Sequence, residues 1–254
     1  MPVFNAQDDA VRTLASFVED APVFALVVDD GSATPFVCPP LHNGVSVEVL
    51  RLEKNGGIEA ALAAGVDRLL ASGIRFIARI DAGDRATPGR LAAQRRFMLD
   101  HPEVGGLGMA AQVVSRHGEP LFFIRPPSDP AQIRRRRFAR SCFVHPTMML
   151  RDLALRASGN YRRAYPAAED LDLFLRIMEH YDCANLPDIG VLYELNETGV
   201  SGSRRQRQII STLQLQLAYP EPANPYYWAG LAKHLAHLLV PYRWLAALKR
   251  KVLA

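Results

Sequence analysis

The chain has 254 residues, 49% of them apolar and 22% charged, with 30 Lys and Arg against 26 Asp and Glu for a net charge of +4. That is enough for one large α/β domain, or one domain with an extension, and it excludes a disordered or low-complexity chain. No uncharged apolar run reaches the roughly 18 residues a spanning helix needs, and no secretory leader is read at the N-terminus. The 3 cysteines, Cys38, Cys142 and Cys183, lack C-x-x-C spacing and point to reduced thiols, hence to a cytoplasmic protein.

In chain order, Val23–Val28 reads as a strand that ends in Asp29-Asp30-Gly31-Ser32, and Val45–Leu52 alternates like another. Asn55-Gly56-Gly57 opens a helix with Ile58, Ala61, Leu62, Gly65, Val66, Leu69 and Leu70 on one face. Phe76–Ile80 is the next strand and runs into Asp81 and Asp84. Thr87-Pro88 has the form of an N-cap and first helical residue, leading to about Asp100. Val104–Val114 is strand-like, with His117-Gly118-Glu119 as a hairpin turn before Leu121–Ile124. Residues 125–140 read as a loop and a short basic helix. Glu169–His180 is a helix with Leu171, Phe174, Leu175 and Met178 inward and Glu169, Asp170 and Asp172 in its first turn, where negative charge suits the dipole. Strand–helix alternation predicts an α/β fold with a mostly parallel sheet flanked by helices. Ligands then sit at the carboxyl ends of strands, where both acidic clusters fall.

Taken singly, each cluster has an ordinary reading: Asp29-Asp30-Gly31-Ser32 as a turn, Asp81 and Asp84 as a helix-entry loop, Glu169-Asp170 as a helix N-terminus. Order and spacing add more. "MPVFNA" (1–6), "VVDDGS" (27–32), "LRLEKNGGIEAALAAGVD" (50–67), "RIDAGDRATPGRLAAQ" (79–94), "HPTMMLR" (145–151) and "GNYRRAYPAAEDLDLFLRI" (159–177) together resemble family 2 glycosyltransferases of the GT-A fold. The resemblance covers roughly residues 1–203. It implies inverting transfer of a sugar from a nucleotide-sugar, UDP-type, to an acceptor hydroxyl. Pro2, Phe4, Asp29, Asp30, Asp81, Arg204 and Arg205 would bind the donor. Asp170, of the pair with Glu169, would be the catalytic base, and His145 would line the acceptor or sugar pocket.

Three departures stand beside the resemblance. The family has a full apolar strand before the "PVFNA"-like stretch, so either the true start lies upstream or the sheet centre is trimmed. The second acid of the family's Asp-x-Asp, its expected metal ligand, is Gly83 here. A histidine expected after the last strand is Asn196, in "YELNETGVSGS". Two readings follow. In one, Asp81, Asp84 and the Asn196 carbonyl hold Mg or Mn. In the other, Arg204, Arg205 or Arg207 takes the diphosphate charge.

Residues 204–254 form a helical C-terminal extension. Trp228, Leu231, Leu235, Leu238 and Leu239 share one helical face. Beyond Pro241 come Trp244, Leu245 and Leu248, then Lys249-Arg250-Lys251. Such a pattern suits a peripheral helix on anionic lipid through residues 226–254, with packing on the core or a second subunit as the alternative. A glycan or lipid-linked acceptor in surface-polysaccharide or lipopolysaccharide assembly fits that anchor. His234 and His237 have no acid or cysteine nearby to complete a metal site. Arg134–Arg137 lacks a nucleic-acid motif and aromatic interleaving, so it reads as a solvated face or a rim for an anionic acceptor, and nucleic acid is not an expected partner. The remaining alternative to an enzyme is a nucleotide-sugar binding protein on the same fold, which would have no need of a base.

Overall fold

The computed structural model describes residues 1–195 and 202–239, for 202–204 and 239 the backbone alone. Asn196, Pro241 and everything after it lie outside. The elements run β1 (Pro2–Val3), α1 (Gln7–Ala15), β2 (Val23–Asp29), β3 (Val45–Arg51), α2 (Ile58–Ala71), β4 (Phe76–Ala78), β5 (Arg85–Ala86) and α3 (Arg90–Asp100). There follow β6 (Val104–Val114), β7 (Pro120–Ile124), α4 (Pro130–Arg136), a 3₁₀ turn (His145–Thr147), β8 (Met149–Arg151), α5 (Asp152–Ser158), α6 (Glu169–Ile177), β9 (Asp182–Glu194), α7 (Gly202–Ala218) and α8 (Pro225–Leu239). One sheet is β1-β2-β3, all parallel; the other runs β4-β8-β6-β9-β5, with β7 paired to β6. The two longest ladders, β2–β3 and β6–β9, are parallel, and the antiparallel partners are short.

Most expected elements form where the pattern places them. The α3 entry differs. Its N-cap is Gly89 in the left-handed region, φ 69°. Thr87 instead donates its hydroxyl to the Ile189 carbonyl at 2.6 Å, which ties the turn to β9. The sequence pattern does not announce β9, because Pro187 and Asp188 interrupt it. A register shift between Met109 and Ala110 lets these two residues bulge out while the ladder continues.

The main core gathers Met148, Leu150, Leu173, Phe174 and Ile177 with Leu215 of α7 and Tyr227 of α8. The C-terminal helices therefore share the core of the preceding residues. α8 approaches the chain after α4 so closely that a Cβ on Gly230 would lie 2.6 Å from the Phe138 carbonyl oxygen. Its opposite face carries Trp228 and Leu235, both exposed, with exposed Leu238 at the flank.

Asp172 is fully buried and organises the approach to α6. Arg162 forks onto it at 2.8 and 2.6 Å, and Arg176 reaches it at 2.8 and 3.1 Å while also donating to the Gly159 and Asn160 carbonyls. The acids of this first turn thus do different work: Asp172 is a structural anion, not a dipole partner alone. Asp172→Ala leaves Arg176 buried and unpaired. Urea unfolding should show a loss of about 3–5 kcal/mol, and a loss below about 1 kcal/mol would contradict this role.

Candidate active site

The loop after β1 and the loop after β2 lock together. Asn5, at φ 51°, donates its amide to Ser32 Oγ at 2.9 Å and accepts from the Ala33 amide at 2.9 Å. This holds Phe4 on the surface, 49% exposed. Beside it lies a cavity of about 240 Å³ lined by Asn5, Gln7, Ser32 and Thr34 with Val3 and Phe36, and no charged side chain. Pro2 is in β1, opposite Val28.

Asp29 and Asp30 are both engaged in hydrogen bonds that shape their loops. Asp29 is fully buried and accepts from the Ser32 and Phe36 amides at 2.9 and 3.1 Å and from Arg51. Those bonds hold its carboxyl below the usual range against the opposing pull of burial. Asp30 accepts from the Gly56 and Gly57 amides at 2.8 and 2.9 Å, which fixes the turn that starts α2. Both acids shape the loops around the cavity; neither carboxylate is turned to it.

The centre of the site forms where β4 ends. Arg79 and Asp81 are two residues apart on an extended chain, so their side chains share a face. Arg79 is buried, and its guanidinium meets Asp81 Oδ1 at 2.6 Å. Its Nε and Nη1 have no partner among the described residues. Desolvation opposes the Arg79 charge, but Asp81, Tyr161 and Asp170 together hold its pKa above the ordinary value. His145 lies beside this group. Its Nε2 is 2.8 Å from the Tyr161 hydroxyl and its Nδ1 is 4.0 Å from Asp170 Oδ2. Burial, and then the Arg79 charge, push His145 well below its usual pKa, so the ring is neutral. Burial raises Tyr161, which keeps its proton. The phenol and Nε2 share this hydrogen bond, and Nδ1 is the ring nitrogen on the Asp170 side.

Asp170 stands in the first turn of α6, its side chain 38% exposed, with Oδ1 accepting from the Leu171 amide at 2.7 Å. Burial in the cleft raises its pKa, while that amide and Arg79 favour the anion. Glu169 is turned inward instead. Its Oε2 is buried without a partner, and burial and then the neighbouring Asp170 charge push it up to about 7. Two adjacent carboxyls thus sit in unlike environments, and Asp170 is the one open to a ligand.

The metal reading loses Asp84. That carboxylate is 3% exposed and accepts from the Glu194 amide at 3.1 Å, tying the loop to β9. Burial and the nearby Asp81 charge raise it to about 7. At Gly83 the backbone adopts φ 105°, and its amide donates to Thr13 Oγ1 at 3.0 Å. The slot is therefore emptied of its acid and also folded in a way that L side chains rarely adopt. Among the described residues no group of three His, Cys, Asp or Glu could hold a metal ion. Asp81 stays at the site, Asp84 is turned away from it, and Asn196 lies outside the described residues.

Asp170 also lines a cavity of about 340 Å³ between the chain after α4 and helices α6, α7 and α8. Arg137, Arg140, Arg205, Lys233, His234 and His237 contribute to its wall. The Arg134–Arg137 run is not one rim. Arg134 is tied to the Tyr181 carbonyl and to Asp182, Arg135 and Arg136 lie over Tyr226, and Arg137 pairs with Glu221. The side chain of Arg204 is outside the described residues. Arg79 and Tyr161 carry the centre of the site but escape a reading by motif. The available signal was a lone arginine inside the apolar stretch Phe76–Ile80.

The layered sheet with its acids after β2 and β4 and a carboxylate on α6 is the arrangement of a GT-A glycosyltransferase. The chain belongs to glycosyl transferase family 2, whose family model matches residues 1–158. No curated protein matches it. Among solved structures, S. aureus TarS 1–349 in complex with UDP is 18% identical with a TM-score of 0.61, over 94% of this chain and 70% of that one. The complex of the same protein with UDP-GlcNAc gives 18% and 0.63, over 92% and 70%. The mannosyltransferase PcManGT from Pyrobaculum calidifontis, with GDP-Man and Mn2+, gives 16% and 0.62, over 100% and 74%. At these identities the likeness shows the fold.

Asp84 gives a pH signature. Its folded pKa of about 7 lies above the ordinary aspartate value of 3.8, so between these pH values the folded state holds more protons and stability falls as pH rises. Asp84→Asn removes that dependence. Its stability relative to the parent should be constant below pH 3.8, improve up to about pH 7 and level off above. Parallel stability–pH profiles in urea would contradict the buried carboxylate.

Proposed function

We propose that this protein transfers a sugar, with inversion, from a nucleotide-sugar to an acceptor hydroxyl in the assembly of a cell-surface glycan. The observation that carries the proposal is the Asp170 carboxyl, placed in the first turn of α6 between the Arg79–Asp81 pair and an open cavity. The acceptor hydroxyl gives its proton to Asp170 as its oxygen attacks the anomeric carbon. The bond from that carbon to the diphosphate breaks on the opposite face, and the diphosphate leaves with the electron pair. His145, neutral and hydrogen-bonded to Tyr161, lines the sugar pocket beside that carboxyl. Glu169, close to its midpoint at neutral pH, is a positioning residue.

On the donor side, exposed Phe4 stacks on the base, and the uncharged cavity at Asn5 and Ser32 takes the nucleoside. Asp81 faces the ribose and diphosphate. Arg205, at the start of α7, lines the Asp170 cavity and is the cation of the Arg204–Arg207 run that we assign to the departing charge, which forked guanidinium donors suit. TarS is solved with UDP and UDP-GlcNAc and the mannosyltransferase with GDP-Man, so relatives of this fold take both uridine and guanosine donors. The outward face of α8 is assigned to a membrane surface, which makes the protein peripheral. Among the described residues no helix is long and apolar enough to cross a membrane.

Two measurements test these assignments. Calorimetry with a panel of nucleoside diphosphates and their sugars, with and without Mn2+, should find a donor whose affinity is unchanged in Asp170→Asn. Transfer by that variant should fall by about 10²–10⁴-fold. Equal loss of donor binding would place Asp170 in the donor site, and unchanged transfer would remove it as the base; binding without any transfer in the parent protein would favour the binding-protein reading. For the membrane surface, the triple variant Trp228→Ser, Leu235→Ser, Leu238→Ser should lose co-sedimentation with phosphatidylglycerol vesicles that the parent shows. Equal sedimentation would overturn the assignment.

A further inference from the structure

The cavity that Asp170 faces is cationic. Arg137, Arg140 and Lys233 line it together with Arg205, and Asp170 is the one acid among the lining residues. Deprotonating a neutral sugar hydroxyl asks nothing of such cations. Positive charge beside a base lowers its proton affinity and so works against it. The cations are also held in place. Lys233 donates to the Ala139 carbonyl at 2.7 Å and Arg140 to the Arg125 carbonyl at 3.1 Å. Arg137 is largely buried, is paired with Glu221 on one side, and keeps a buried Nε without a partner among the described residues. Burial lowers its pKa, so its charge is maintained against a desolvation cost. A ligand with its own negative charge offsets both costs. Phe138, Phe143 and Phe174 supply apolar surface between the cations and the carboxylate.

We propose that this cavity is the acceptor subsite and that the acceptor carries a phosphate group close to the hydroxyl that is glycosylated. The proposal rests on Asp170 as the base. The phosphate lies against Arg140 and Lys233, with Arg137 behind them, and the hydroxyl reaches Asp170 across the aromatic floor. A lipid headgroup and a soluble sugar phosphate offer the same chemistry. At the cavity itself neither source is favoured: of the α8 residues, Lys233, His234 and His237 line it, and the exposed Trp228 and Leu235 do not.

The test uses the full chain saturated with whichever nucleoside diphosphate it binds, so that the donor phosphate site is filled. Binding of glycerol 1-phosphate and of glycerol is compared by NMR titration, and binding of phosphatidylcholine vesicles with and without phosphatidic acid by sedimentation. Glycerol 1-phosphate should bind and glycerol should not. Arg140→Gln and Lys233→Gln should each weaken that binding about ten-fold, with nucleotide affinity unchanged as the control for folding. A lipid source adds phosphatidic acid-dependent sedimentation that the same variants reduce; a soluble source leaves sedimentation unaltered. Equal binding of the two glycerols, or no change in both variants, overturns the phosphate subsite. Absence of nucleotide binding would instead overturn the glycosyltransferase reading, so the two failures are distinguishable.

Discussion

A buried guanidinium sets the terms for this site. Arg79 has left water, and a charge in that position is tolerated only where opposite charge comes with it. Asp81 supplies a direct contact, and Asp170 and the Tyr161 ring system close around the rest. The consequences run outward. Burial, and then this charge, push His145 to its neutral form, and the same charge opposes the rise that burial imposes on Asp170.

The legible part of the fold was the part written in periodicity. The helical face from Ile58 to Leu70 and the runs at Val23 and Val104 each match a local rule, and each appears as expected. β9 was hidden because the bulge at Pro187 and Asp188 is a tertiary solution, visible only against β6. The acids were harder to read. A carboxylate that binds a nucleotide and one that ties a loop look alike in sequence. Asp30 holds the turn before α2, Asp29 closes its own loop, and Asp84 reaches β9. Only their partners tell them apart from Asp170, whose neighbourhood is open.

The C-terminal helices, expected as an extension with packing on the core as one alternative, pack on that core and line the Asp170 cavity. Leu215 and Tyr227 belong to the main core, and α8 reaches the chain after α4 through Gly230. One side of α8 lines the Asp170 cavity while the other carries exposed tryptophan and leucine. Attachment and acceptor recognition, as assigned here, are therefore carried by a single rigid rod, and the orientation of one fixes the orientation of the other.

The turn at Gly83 bears on how such a site changes over generations. Restoring an aspartate takes a change in the codon, but the φ of 105° and the amide bond to Thr13 belong to the fold and not to the codon. A returning side chain would meet strain before it met a cation. The loss is in this sense a ratchet: once the backbone has settled on glycine, reversal needs the loop and its α1 anchor to move together. Lineages carrying this turn are held to whatever means of meeting the diphosphate charge they acquired with it.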